Sequence, residues 1–171
     1  MHTKVMKLMS QISRIESFWQ TYLSSRPEQH RPSFQAYDVW RFGDTEDVAA
    51  KCAHLVKAHI KTATSGLVWE MEADGDRMPQ RGDLAVVTNL SGEPQCVIEV
   101  TECVVKPFNE VDEQFAFDYG EGDRTLQGWR KDTWEYFAPI CEKLGREPSE
   151  TMPLACQRFR LVYPMKETHA R

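Results

Sequence analysis

The amino-acid sequence predicts one α+β domain, and three features predict it. Helical periodicity opens the chain twice, turn-punctuated β-rich segments fill the middle, and a further helical stretch precedes a closing strand. No repeat, low-complexity tract or linker divides the 171 residues, a length that buries a core without disulfide staples.

The first helix rests on Ile12, Ile15, Phe18, Trp19, Tyr22 and Leu23, which recur at helical spacing over about four turns. It stops before Pro27, because proline disfavours helix at the residue preceding it. Residues 27–43 are irregular, yet Phe34, Tyr37, Trp40 and Phe42 are too many aromatics to leave in water. The second helix is expected to start at Asp44 as its cap, with Glu46 and Asp47 at the positive end of the dipole. Val48, Cys52, Leu55, Val56 and His59 mark its buried stripe.

Residues 66–72 alternate as a strand, which puts Glu70 and Glu72 on one face, and residues 73–76 turn. Residues 83–90 and 95–105 form a hairpin across Ser91-Gly92-Glu93-Pro94. A third helix from Thr125 to about Leu144 takes Asp123 as N-cap and Gly145 as C-cap, with a kink or break at Pro139. The closing strand, residues 154–163, slips one step at Gln157-Arg158, which a bulge explains.

Charge narrows the function. With 21 Lys and Arg against 26 Asp and Glu, the net charge of −5 excludes a broad basic surface that coats nucleic acid. A small, locally basic pocket for one nucleotide or one stretch of single strand stays open. The five cysteines form no C-x-x-C pair, and His54 and His59 are not stacked as ligands. No metal and no cofactor is expected. Residues 1–10 lack the apolar core of a signal peptide, and no run approaches the ~20 apolar residues of a membrane span. The expectation is a soluble cytoplasmic protein whose cysteines are buried thiols.

The segment His59-Ile60-Lys61-Thr62-Ala63-Thr64 carries the most chemistry. A hydroxyl is a weak nucleophile until a base takes its proton, and a protonated lysine can instead donate to a phosphate or a carbonyl oxygen. On a regular strand Lys61 and Thr64 point to opposite faces, so convergence requires a turn, a loop or a bulge. Read alone, the run equally describes a surface lysine followed by threonines entering a strand. Carboxylates to complete a site stand in Asp118-Tyr119-Gly120-Glu121-Gly122-Asp123, where capping is the competing reading for Asp123. Trp40, Trp69 and Tyr119 offer faces for stacking a base, with core packing as the alternative.

Several stretches together resemble the ASCH domain proteins over residues 18–163. They are Phe18-Trp19-Gln20-Thr21-Tyr22-Leu23, residues 36–44, Lys61-Thr62-Ala63-Thr64-Ser65, Arg81-Gly82-Asp83, residues 96–101 and residues 119–126 with Trp129-Arg130. The resemblance implies a PUA-like fold, a partly open antiparallel β-barrel flanked by helices, and RNA or a modified nucleoside as partner. Some relatives remove the acetyl group of acetylated cytidine and others cut single-stranded RNA. The family motif G-x-K-x-x-T places its lysine and threonine on Lys61 and Thr64 and puts His59 at its glycine, reshaping the pocket. In the amidohydrolase relatives the lysine activates the threonine and a downstream glutamate assists. Carried over, these catalytic roles fall on Lys61, Thr64 and Glu121, with Asp123 competing for the acid. His59, Thr62, Trp40, Tyr119 and Asp123 are the expected binding residues. The expected function is a hydrolase of RNA or a modified nucleoside. The alternative is a non-catalytic module that binds RNA or a nucleotide.

Overall fold

The computed structural model describes residues 2–27 and 37–164. Its elements are five α-helices, α1 (His2–Ser25), α2 (Glu46–Lys57), α3 (Val68–Asp74), α4 (Glu113–Tyr119) and α5 (Leu126–Lys143), and five strands. The strands are β1 (Asp38–Trp40), β2 (Ala63–Leu67), β3 (Leu84–Thr88), β4 (Pro94–Pro107) and β5 (Pro153–Pro164). Hydrogen bonding orders the strands β1-β3-β4-β5-β2. β1 runs parallel to β3, so the sheet is mixed rather than wholly antiparallel. The chain divides into two compact units, one of residues 1–57, 83–99 and 161–171, the other of 58–82 and 100–160.

In the first unit, α1 buries Phe18, Trp19 and Tyr22 against Leu84 and Val86 of β3 and Val97 of β4. Each large side chain taken out of water contributes about 1.5–3 kcal/mol. The helix reaches back to His2, well before the periodic stretch that predicts it. Tyr37 stacks on Trp19 with ring centroids 4.4 Å apart, and Phe42 is buried, as expected of this aromatic segment. Phe34 lies outside the described residues.

Thr45, not Asp44, caps α2: its hydroxyl accepts from the Val48 N–H at 3.3 Å. The buried stripe is Ala49, Cys52, Ala53 and Val56, while Val48 is exposed. Small residues on that face let the helix pack closely, a signal that large side chains mask. β3 and β4 form the predicted hairpin, closed by the Asn89 N–H to the Glu93 carbonyl (3.0 Å) and the Glu93 N–H to Asn89 Oδ1 (2.8 Å). Burial pushes the Cys96 thiol up to about 12, which keeps it protonated and inert at neutral pH.

In the second unit, β2 pairs antiparallel with β5, and the register of this pair is regular through Gln157 and Arg158. The expected strand over 66–72 is a correction. β2 ends at Leu67 and Val68–Asp74 is helical, closed by Gly75 in the left-handed conformation at φ 73°. Glu70 and Glu72 therefore sit on α3 and share no strand face. α4, which the sequence reading passed over, is capped by Asp112, whose carboxylate accepts from the Phe115 N–H at 2.8 Å. α5 continues through Pro139 without a break. It ends with the Arg146 N–H on the Cys141 carbonyl and the Gly145 N–H on the Glu142 carbonyl, with Gly145 at φ 69°. Leu67, Phe108, Phe115, Trp129, Phe137, Met152 and Leu154 build the core of this unit.

Candidate functional site

Two backbone segments 56 residues apart in sequence are joined side by side in the second unit. The Thr62 N–H donates to the Asp118 carbonyl at 2.8 Å, and the Phe159 N–H of β5 donates to the Thr62 carbonyl at 2.9 Å. Gly120, at φ 77°, makes the approach possible. A Cβ there would stand 2.6 Å from the Ile60 oxygen and 2.7 Å from the Lys61 Cα, closer than atoms tolerate.

This junction encloses Lys61. The residue is 1% exposed, against the common surface placement of lysine. Its Nζ donates to the Ala63 carbonyl at 3.0 Å and the Tyr119 carbonyl at 3.2 Å, and lies 2.6 Å from Glu121 Oε1. The Tyr119 ring closes the remaining side, its centroid 3.6 Å from the nitrogen. An ammonium has three N–H donors, and these carbonyl and carboxylate oxygens are placed to accept from it. The Glu121 side chain keeps 32% of its surface in contact with solvent, so the pair has one buried partner and one accessible partner.

Thr64 is buried on β2 and stands opposite Gln157 of β5. The Gln157 Oε1 is itself buried, with no hydrogen-bond partner among the described residues. Thr62 is half-buried, and its hydroxyl reaches the Asp118 carbonyl at 3.4 Å. His59 is exposed and holds φ 57°, a left-handed backbone. Asp123 is turned to its own loop: its Oδ1 accepts from the Thr125 N–H (2.9 Å) and hydroxyl (2.8 Å). Those bonds hold its carboxyl below the usual range. The N-cap of α5 is Thr125, whose hydroxyl accepts from the Gly128 N–H at 3.0 Å, which corrects the expected cap at Asp123. Trp40 is on β1 in the first unit, edge-on to Phe42, and Tyr119 is packed in the second. Trp69 also belongs to the second unit, beneath the Arg146 guanidinium.

Sequence reasoning missed Arg158. Its guanidinium pairs with Asp118 and, at 3.5 Å, with Glu102, over the Phe115 ring. It lines a hollow of about 240 Å³ with Lys106, Asp112 and Cys156. Only its position within an apolar strand could have drawn notice. Among the described residues, no cluster of three or more His, Cys, Asp or Glu side chains is arranged to hold a metal ion.

The family model for the ASCH domain matches residues 38–163. The chain belongs to the ASCH domain family. It is similar to the crystal structure of an ASCH domain from Lactobacillus crispatus, with 35% identity and a TM-score of 0.83 over 88% of this chain and 95% of that one. A crystal structure of an Enterococcus faecalis protein is 25% identical, with a TM-score of 0.81 over 94% of this chain and 98% of that one. No curated protein matches. The α+β, PUA-like fold is thereby shown, and the Lys61–Glu121 pair lies within the matched ASCH residues. No helix of the described residues is long and apolar enough to cross a membrane.

Proposed function

We propose that this ASCH domain protein binds RNA or a modified nucleoside and hydrolyses it, with removal of the acetyl group from acetylated cytidine as the first reaction to test. One observation carries the reading: a wholly buried ammonium is paired at 2.6 Å with a carboxylate that solvent still reaches. Withdrawing such a pair from water costs several kcal/mol, which packing alone does not require. Strongly desolvated, charge-paired groups concentrate where chemistry is done.

The donor pattern supports the following roles. Lys61 directs its N–H groups to Ala63, Tyr119 and Glu121, so it acts as a fixed positive charge rather than as the base. Glu121 is then the proton carrier. It takes a proton from water as the oxygen attacks the acetyl carbon, and returns it to the departing cytidine nitrogen; acetate and cytidine are the products. Thr64 is the ligand contact on the neighbouring strand.

A second reading treats the ASCH domain as a binding module. The protein acceptors around Lys61 favour it, since such a pair can serve to fasten two segments. Incubation of the protein with acetylated cytidine and with single-stranded RNA separates the two. The hydrolase reading expects turnover of one of them, and a loss of roughly 10²–10⁴-fold in kcat for Glu121→Gln, assayed below its lowered unfolding midpoint. Absence of turnover on both, or full activity in Glu121→Gln, overturns it and leaves the binding module, whose affinity for short oligonucleotides would fall with salt.

A further inference from the structure

A groove next to the Glu121 loop has chemistry that neither reading uses. Glu113, Gln114 and Phe117 of α4 and Arg124, Thr125 and Leu126 at the start of α5 line a hollow of about 450 Å³. That is within the size range of small-ligand pockets. Phe117 is 48% exposed, and the Arg124 guanidinium lies over its ring, 3.6 Å from the centroid. Arg124 Nε donates to the Phe117 carbonyl at 3.0 Å, which fixes one edge of the fork. The other edge, the two terminal nitrogens, meets no protein acceptor among the described residues.

The backbone makes this placement informative. Arg124 sits at φ 61°, in the left-handed region that disfavours any residue with a Cβ. Glycine would serve the turn better, and Gly122 two positions earlier does so at φ 60°. A side chain kept at such a position points to a use for the side chain itself.

Charge and geometry select the ligand. One guanidinium and one carboxylate, Glu113, cancel, so a bare phosphate gains little net attraction. Gln114 commits its Nε2 to Asp118 Oδ1 at 3.0 Å and so offers its carbonyl oxygen. The residues that line the groove therefore carry a planar pair of donors, two acceptors and an aromatic ring. A neutral planar group with acceptors on one edge and donors on another is complementary to it. Guanine has this pattern: O6 and N7 accept from an arginine fork, and its N1–H and amino group donate to a carboxylate.

We infer that this groove holds a guanine base of single-stranded RNA, a contact that rests on the nucleic-acid reading above and adds a base preference to it. Labelled RNA tetramers with guanine or adenine at one position are titrated against the parent, Arg124→Gly and Glu113→Gln. Arg124→Gly removes the fork while suiting the backbone, so its unfolding midpoint is expected to equal or exceed that of the parent. The parent is expected to prefer the guanine oligonucleotide by roughly ten- to a hundred-fold. Arg124→Gly loses that preference, and Glu113→Gln reduces it. Equal binding of the two oligonucleotides by the parent, or a preference that survives in Arg124→Gly, overturns the assignment. So does GMP competing as well as the tetramer, which would make a free nucleotide the ligand. Turnover of free acetylated cytidine is expected to be the same in Arg124→Gly and the parent. A parent without turnover refutes the hydrolase but leaves the guanine titration decisive for the groove.

Discussion

Replacing Gly120 by alanine tests how tightly the lysine-bearing segment is fastened. Two costs add. The left-handed φ of 77° penalises any Cβ by about 1–2 kcal/mol. The new methyl carbon would also lie 2.6, 2.7 and 2.8 Å from the Ile60 oxygen, Lys61 Cα and Ile60 carbonyl carbon, all backbone atoms without rotamer freedom. Forcing an extra carbon into a packed site costs about 1–3 kcal/mol. The sum, roughly 2–5 kcal/mol, corresponds to a fall of about 5–20 °C in Tm for a chain of this length. Gly75→Ala supplies the control. Its φ is 73° but nothing lies within 4 Å of the added carbon, so it carries the conformational cost alone. Urea unfolding of both variants isolates the packing contribution as their difference. If the two lose stability equally, within about 0.5 kcal/mol, the close approach of the 60–61 and 120 backbones is not what the glycine serves.

Two further outcomes follow from local geometry. His59→Gly removes a Cβ from φ 57°, a gain of about 1–2 kcal/mol set against about 0.4–1 kcal/mol of added chain entropy; a modest rise in the urea midpoint is expected, and a clear fall would show that the exposed ring holds something in place. Asp112→Ala removes the α4 cap at a cost of about 1 kcal/mol at neutral pH. The Phe115 N–H holds the Asp112 carboxyl below its ordinary range, so the cap contributes fully above the unfolded value of about 4 and is lost as pH falls through the lower folded value. Urea titrations at neutral and strongly acid pH should show the gap between variant and parent closing on acidification; a gap that persists means that the cap owes nothing to the ionised carboxylate.

The parts that the sequence made legible share one property: their signal is local and long. The β3–β4 hairpin has β-branched runs on both sides of Ser91-Gly92-Glu93-Pro94, and α5 carries its stripe over 18 residues. Residues 66–72 misled because Leu67, Trp69 and Met71 alternate over too short a span to separate a strand from a two-turn helix. The left-handed Gly75 that ends α3 reads equally well as a turn residue. α4 was missed since seven residues give no resolved periodicity. At the site, residue chemistry drew attention to the segments holding Lys61, Thr64 and Glu121, and a family resemblance gave these three their catalytic roles. Their surroundings were not legible, because burial of Lys61 depends on two carbonyls and an aromatic ring whose positions no local pattern encodes.

The separation of Lys61 from Tyr119 by 58 residues has a consequence for how the molecule is made. During synthesis the lysine emerges well before the oxygen atoms that will neutralise it, and closing so long a loop is entropically slow compared with forming a helix or a hairpin. Desolvation of the ammonium must therefore belong to the late, cooperative stage of folding. A fragment released before Glu121 is translated would have to leave that charge in water, and a short peptide spanning the lysine motif would not reproduce its environment.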